Sequence, residues 1–327
     1  MKIFGFFRSA PHARRDAVFL ALDAALYLRH PKLILSFRRR VGYWPRPSCP
    51  VSYHEKYLWR KLFDHDPRFP QWTDKLQAKR LVRERFPDLA VAETLWEGDD
   101  PQAIPDALLQ GDCVVKAAHG SGWNIIVRGG DVDRAHVLRE SRKWLRRRYY
   151  GRSRAQWGYK HVTPRLLVEA LVMDGDKPVD RDYKLYVAAG EVMYAYLKID
   201  RFGDNPREAM LDIDGRSRRI LIDRANMSVD IPKPVHWEAI KAAASRLGAE
   251  FDFVRVDLYE TAGTVWFSEL TFYSQSGYDC IDWQEMDDHM ARSWDLRRSW
   301  FLRSPQKGWR GAYAARLKRA LDRGALS

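Results

Sequence analysis

The sharpest chemical signal in this chain is a pair of carboxylates in the segment FVRVDLYETAGTVWFSELTFY, residues 253–273. Read as a hairpin symmetric about Gly263, the segment sets Asp257 opposite Glu269, Arg255 opposite Thr271 and Tyr259 opposite Phe267 on one side of a sheet. Val256, Leu258 and Leu270 fall on the other side, which suits a core. Two directly opposed carboxylates repel one another unless a cation lies beside them. Oxygen ligands from such a pair, completed by waters and phosphate oxygens, suit Mg²⁺ carried with a nucleotide. Neutralisation by Arg255 and solvent is the plainer alternative.

A second signal is VVKAAHGSGWNIIV, residues 114–127. Gly120 and Gly122 let backbone N–H groups approach an anion, and Ser121 adds a hydroxyl. No Gly-Lys-Ser/Thr follows and the third glycine of a dinucleotide fingerprint is absent, so neither of those phosphate loops fits. A glycine loop joining two strands is expected instead, a flap over phosphates with Lys116 projecting from the strand before it. A plain hairpin turn is the bland reading. Further on, PRLLVEALV ends a strand in Glu169, whose following backbone, Ala170 to Val172, could meet an adenine edge. Lys184 alternates with Tyr183 and Leu185 in RDYKLYV, where a second phosphate-directed charge would be useful.

The elements that must position these groups follow from pattern. A helix is expected over 12–42, and YWPRPSCP, with Pro45, Pro47 and Pro50, reads as a linker. Helices are expected from Ser52, capped with Glu55 three residues on, and from Thr73-Asp74-Lys75 to about Phe86. Strands at 113–117, 124–127 and 166–172, a basic helix over 134–150, the strands around Ala189-Gly190, and a helix at 235–248 lead to the carboxylate hairpin. Strands paired around glycine turns and alternating with helices indicate an α+β fold with antiparallel sheets. Five regions are expected: a basic extension and linker (1–50), a helical region (51–112), a subdomain with the glycine loop (113–172), a subdomain with the carboxylates (173–305) and a basic tail (306–327).

The formal charge of +13 over 327 residues resides at the ends. Residues 1–46 hold ten Lys/Arg against Asp16 and Asp23, and residues 307–327 hold six against Asp322, which leaves the middle neutral. A chain whose whole body binds nucleic acid is therefore disfavoured. Cys49, Cys113 and Cys280 form no CxxC pair, which suggests a reducing compartment and no thiolate metal site. The run from Val18 to Leu28 contains Asp23 and is far short of the roughly 20 residues of a spanning helix. A cytoplasmic protein, peripheral at an inner membrane through its ends, is the expectation.

Taken in order, TDKLQAKRLV, VVKAAHGSGWNIIV, YKHVTPRLLVEALV, DYKLYV and FVRVDLYE with FSELTFYSQSG resemble the ATP-grasp superfamily, and most closely its TupA-like branch, associated with teichuronopeptide and surface-polysaccharide synthesis. The resemblance spans about 52–288. It implies an ATP-grasp fold of two α+β subdomains gripping ATP. By this resemblance Lys75, Lys116 and Lys184 would lie at nucleotide phosphates, and Gly120, Ser121, Gly122 and Asn124 would form the covering loop. Glu169 and Leu171 would bracket adenine, and Asp257, Glu269 and Thr271 would hold Mg²⁺. Thr271 stands where many ATP-grasp enzymes carry Asn.

The implied chemistry is carboxylate–amine ligation through an acyl phosphate, with Arg255 stabilising transferred charge. Arg201 is the expected contact to a substrate carboxylate such as a uronic acid, and Arg216, Arg218 and Arg219 read as a solvated loop beside Asp212 and Asp214. A sugar kinase using the same ATP site is the alternative. An RNA-binding protein, suggested by ESRKWLRRRYYGRSR at 140–154 with Trp144, Tyr149 and Tyr150, is a weaker one. Outside the resemblance, the basic ends suit attachment to an anionic inner leaflet.

Overall fold

The computed structural model describes residues 16–150, 154–200, 204–222, 226–279 and 282–324. Two helices, α1 (Ala17–Arg29) and α2 (Pro31–Val41), replace the single helix expected over 12–42. Pro31 has no amide hydrogen to continue the first helix and instead starts the second. Nor is the proline segment a loose linker. Ser48 N–H donates to Asp23 at 2.8 Å, its hydroxyl donates to the Phe19 carbonyl at 2.9 Å, and Cys49 is buried.

Helix α3 (Tyr53–Leu62) opens with the expected capping box of Ser52 and Glu55. After α4 (Arg68–Thr73), helix α5 (Lys75–Arg85) starts at Asp74, whose carboxylate accepts from the N–H groups of Leu76 and Gln77. That cap fixes Lys75 as the first helical residue. The chain continues through β1 (Ala90–Val91), β2 (Thr94–Gly98), β3 (Cys113–Ala117), β4 (Asn124–Val127), α6 (Arg134–Arg146) and β5 (Leu166–Ala170). A short hairpin of β6 (Met173–Asp174) and β7 (Lys177–Pro178) leads to β8 (Arg181–Ala188), β9 (Glu191–Ile199), β10 (Arg207–Leu211) and β11 (Ser217–Arg218). Then come α7 (Trp237–Gly248), β12 (Val254–Thr261), β13 (Thr264–Thr271), α8 (Gln284–Ser293), α9 (Trp300–Arg303) and α10 (Trp309–Asp322).

Two main sheets result. The smaller has the order β2-β5-β3-β4, and the larger β1-β13-β12-β8-β9-β10-β11. Pairing is antiparallel throughout except where β1 joins β13 in parallel. Strand β2 belongs with β3–β5 and β1 with β13, so the 51–112 region supplies an edge strand to each sheet.

The polar residues of the larger sheet share a face because strand side chains alternate. Tyr183, Leu185 and Val187 of β8, with Val254, Val256 and Leu258 of β12, enter a core with Ile240, Ala244 and Leu247 of α7. Their neighbours Asp182, Lys184, Arg255, Asp257 and Tyr259 turn the other way, toward a common cavity. Further along that second face, Tyr186 and Tyr194 pack into a core with Tyr53 and Tyr57 of α3 and with Trp294. In the smaller sheet Cys113, Val115, Ala117, Leu166 and Val168 pack on Val137 and Trp144 of α6. Helices α1 and α10 join the larger body: Phe19 of α1 lies edge-on to Tyr313 of α10 at 6.4 Å, and Arg316 pairs with Asp16 at 2.8 Å.

Candidate active site

Between the two sheets lies a cavity of about 540 Å³. Its lining includes Lys75, Lys116, Ser121, Gly122, Asn124, Glu169, Lys184, Arg255, Asp257 and Glu269 from the sequence-predicted set. A smaller apolar recess, bordered by Val114, Ile126, Leu171 and Val179, adjoins it through the shared residues Lys116, Asn124 and Glu169. Leu171 and the backbone after Glu169 border this recess.

The carboxylate pair forms as the sequence suggests: Asp257 is in register with Glu269 and Arg255 with Thr271. Beyond Asp257 the register slips by one, so Leu258 pairs with Phe267 and Tyr259 with Trp266. The expected match of Tyr259 with Phe267 is therefore wrong. The β-bulge turns Phe267 into the core beside Leu258, while Tyr259 keeps its place at the cavity.

Arg255 lies between the carboxylates. Its Nε and Nη2 donate to Asp257 at 2.7 Å each, and Nη2 also reaches Glu269 at 3.3 Å and the Thr271 hydroxyl at 3.0 Å. Thr271 in turn donates to Glu269 Oε1 at 2.8 Å. Lys184 donates to Asp182 at 2.6 Å and to Asp257 at 3.0 Å. Burial pushes the Asp257 carboxyl up, against the opposing pull of Arg255 and Lys184. Burial acts the same way on Glu269, but the charges of Lys75, Arg255 and Lys184 overcome it and hold Glu269 well below the usual carboxylate range.

On the facing side, Glu169 accepts from Lys79 at 2.8 Å and from Lys116 in a close ion pair. Burial would raise this carboxyl, but the two ammonium groups hold it low. Lys116 is thus held by Glu169 at the junction of the cavity and the recess. Lys75 links the two sides: its Nζ donates to the Gly120 carbonyl at 2.7 Å and lies 3.3 Å from Glu269.

The glycine loop is a turn between β3 and β4, in which Lys116 is in register with Asn124. Gly122 has φ +73°, a conformation that favours glycine, and a Cβ on Gly120 would fall 2.3 Å from the Trp123 ring. Trp123 lies edge-on to His119 and Tyr149, each at 5.4 Å. Trp144 is buried under the smaller sheet. Of the aromatics in the 140–154 stretch, Trp144 is thus part of the core beneath the smaller sheet and Tyr149 packs on Trp123. Arg216 and Arg218 pair with Asp214 at 3.3 Å and Asp212 at 3.2 Å on the surface, as a solvated loop would. Arg201 lies outside the described residues.

Several lining residues escape the sequence reading. Lys79 carries a signal in retrospect, since it stands one helical turn after Lys75. Asp182 and Tyr186 on β8, and Tyr196 and Lys198 on β9, follow from the period of two once Lys184 is placed. Gln275 and Asp279 have no such signal, because they come from an irregular loop after β13. That loop holds Gln275 and Ser276 at φ 41° and 62°, uncommon for residues other than glycine. Helix α3 restrains it: Lys61 donates to the Ser276 carbonyl at 2.6 Å and hydroxyl at 2.9 Å, and the His54 ring bonds the Gly277 carbonyl at 3.0 Å. Burial raises Asp279 to about 6 despite Arg255 and His54 nearby.

The lining carries six carboxylates (Glu169, Asp182, Glu208, Asp257, Glu269, Asp279) and six cations (Lys75, Lys79, Lys116, Lys184, Lys198, Arg255). Among the described residues no cluster of three His, Cys, Asp or Glu groups could hold a metal by itself. The donors at the carboxylate pair are all hard oxygens, which fits Mg²⁺ completed by phosphate oxygens and water rather than a resident metal.

Comparison with known proteins agrees with this architecture. The model of the TupA-like ATPgrasp family matches residues 55–293. Solved structures with similarity include the ATP-grasp ligase PsnB with its minimal precursor, at 17% identity over 70% of this chain and 62% of that one, TM-score 0.39. PsnB with minimal precursor, Mg and ADP shows 17% identity over 85% and 75%, TM-score 0.39. D-alanine–D-alanine ligase from Bacillus anthracis with ATP shows 14% identity over 62% and 55%, TM-score 0.37. The chain spans less than two thirds of the chains in the first and third of these. No curated protein matches its sequence. The family match covers most of the chain and includes both sheets and the cavity between them: this protein belongs to the TupA-like ATP-grasp family.

Proposed function

We propose that the chain is an ATP-dependent carboxylate–amine ligase that acts, by way of an acyl phosphate, on a carboxylate-bearing surface glycan or its precursor. The observation that carries this reading is the bridge from the glycine loop through Lys75 to Glu269, and from there through Arg255 to Asp257. It brings groups suited to phosphate and groups suited to Mg²⁺ into one cavity.

In this reading the recess beside Leu171 takes the adenine, and Lys116, Lys75 and the loop 120–124 line the phosphates. Asp257, Glu269 and Thr271 would hold Mg²⁺, which when bound neutralises phosphate charge. Arg255 and Lys184 orient the γ-phosphate and the substrate carboxylate. A carboxylate oxygen bonds to the γ-phosphorus as the bond to ADP breaks. The amine nitrogen then bonds to the acyl carbon, phosphate leaves, and the amine gives up a proton. Asp279, half-buried at the cavity wall with a carboxyl at about 6, would accept it. Closure of the loop excludes water from the acyl phosphate.

The experiment is incubation with ATP, Mg²⁺, amino acids and uronic-acid-containing glycans, followed by mass analysis. An amide product with ADP and phosphate is the expected result. A phosphorylated glycan with no amide would replace the ligase with a kinase.

A further inference from the structure

Helix α1 reverses the usual arrangement of a surface helix, in which charged residues face water. Its inward stripe is Phe19, Asp23 and Leu26, so its one acid is buried. Asp23 accepts from Ser48 N–H at 2.8 Å and lies 3.7 Å from Arg46. Every exposed position from 17 to 28 is Ala, Val or Leu, with Val18 and Leu20 each 47% exposed and Leu28 85%. Arg29 closes the helix, and beyond His30 the exposed positions of α2 include Lys32, Leu35 and Arg39. Half-exposed Trp44 stacks on Tyr27 of α1 with ring centres 5.9 Å apart. Helix α10, packed on α1, adds exposed Lys318, Arg319 and Arg323.

We infer that this face seats on an anionic lipid surface, with Val18, Leu20 and Leu28 entering the headgroup boundary and Arg29, Lys32 and Arg39 meeting lipid phosphates. An apolar stripe rimmed by basic residues, with an aromatic residue at its border, is the chemistry of an interfacial helix. No helix among the described residues is long and apolar enough to cross a membrane, so α1 lies in the plane. Charge decides against a second copy of the chain: a two-fold contact through this face would bring Arg29, Lys32 and Arg39 against the same basic rim. The inference does not depend on the ligase chemistry. Within the described residues, the surface is formed by α1 and the basic positions of α2 and α10 beside it.

The test is co-sedimentation of the full chain with phosphatidylcholine vesicles, with and without about a quarter phosphatidylglycerol. Leu20→Asn combined with Leu28→Asn changes only exposed side chains, and unaltered ATP turnover reports that it folds. It is expected to weaken binding by about tenfold per leucine. Lys32→Glu with Arg39→Glu is expected to weaken binding to anionic vesicles by at least about tenfold and to flatten its salt dependence. Equal binding to neutral and anionic vesicles, or leucine variants that bind like wild type, overturns the inference. So does a dimer in light scattering that the leucine variants dissociate, since the occupant would then be a second copy.

Discussion

Two ion clusters face each other across the cavity, and they are built to opposite plans. On the smaller sheet, one carboxylate, Glu169, is shared by Lys79 and Lys116, leaving positive charge in excess. On the larger sheet, Asp182, Asp257 and Glu269 are met by Lys184, Arg255 and the visiting Lys75, and the charges cancel. The first plan attracts an anion without help. The second has no positive charge to spare and becomes attractive to phosphate only if a cation arrives with it, which is how a magnesium nucleotide would join the two.

The largest test of this contrast strikes the neutral cluster. Asp257→Asn or Glu269→Gln should lower ATP turnover on the order of a thousandfold, with circular dichroism unchanged. Near-normal turnover in either variant would remove the metal role. Next in size is Glu169→Gln, which leaves two lysines close together without their anion and should cost about 3 kcal/mol in urea unfolding. Because the folded state holds Glu169 below its ordinary value, its stabilisation is full above about pH 4.5 and is lost as pH falls through the depressed folded value. Unfolding curves of the variant and wild type should therefore converge in acid, and a constant gap would contradict the pairing.

A moderate effect is expected at Asp279, which faces Arg255, His54, Asp287 and Tyr186. With its carboxyl at about 6, turnover should fall as pH drops below that value and the group protonates. Asp279→Asn should lose this limb and run about tenfold slower at neutral pH. If the limb survives the substitution, another group is the base. Gly120→Ala should raise the KM for ATP by about fivefold through the Trp123 clash, with kcat less affected. Smallest of all, Arg216→Ala should leave the KM of the proposed glycan acceptor unchanged, and a selective rise would place the surface loop in the site.

Much of the fold was legible, and the reasons are local. The Ser52–Glu55 box, the Asp74 cap and the glycine turn between β3 and β4 depend on residues within a few positions, so pattern alone places them. The carboxylate pair was legible because alternation and one turn suffice to align it. Pairing of Glu169 with Lys79 was not, since it joins a strand to a helix 90 residues away in sequence. Nor was the place of Asp279, which depends on a loop shaped by Lys61 and His54 from a distant helix. The break at Pro31 departs from one helix over 12–42 because helix-compatible sequence resumes directly after the proline, which starts α2. What the chain's neighbours in sequence decide could be read, and what its neighbours in space decide could not.

The β-bulge after Asp257 has a practical consequence for anyone altering this protein. It absorbs a one-residue difference between the two arms of the hairpin, so pairing near the tip is decoupled from pairing at the carboxylates. The tip at Ala262 and Gly263 is consequently a tolerant place to graft a reporter peptide or a labelling cysteine. A lengthened turn there would be taken up before it reached Glu269, and the graft would report on the enzyme without disturbing its chemistry.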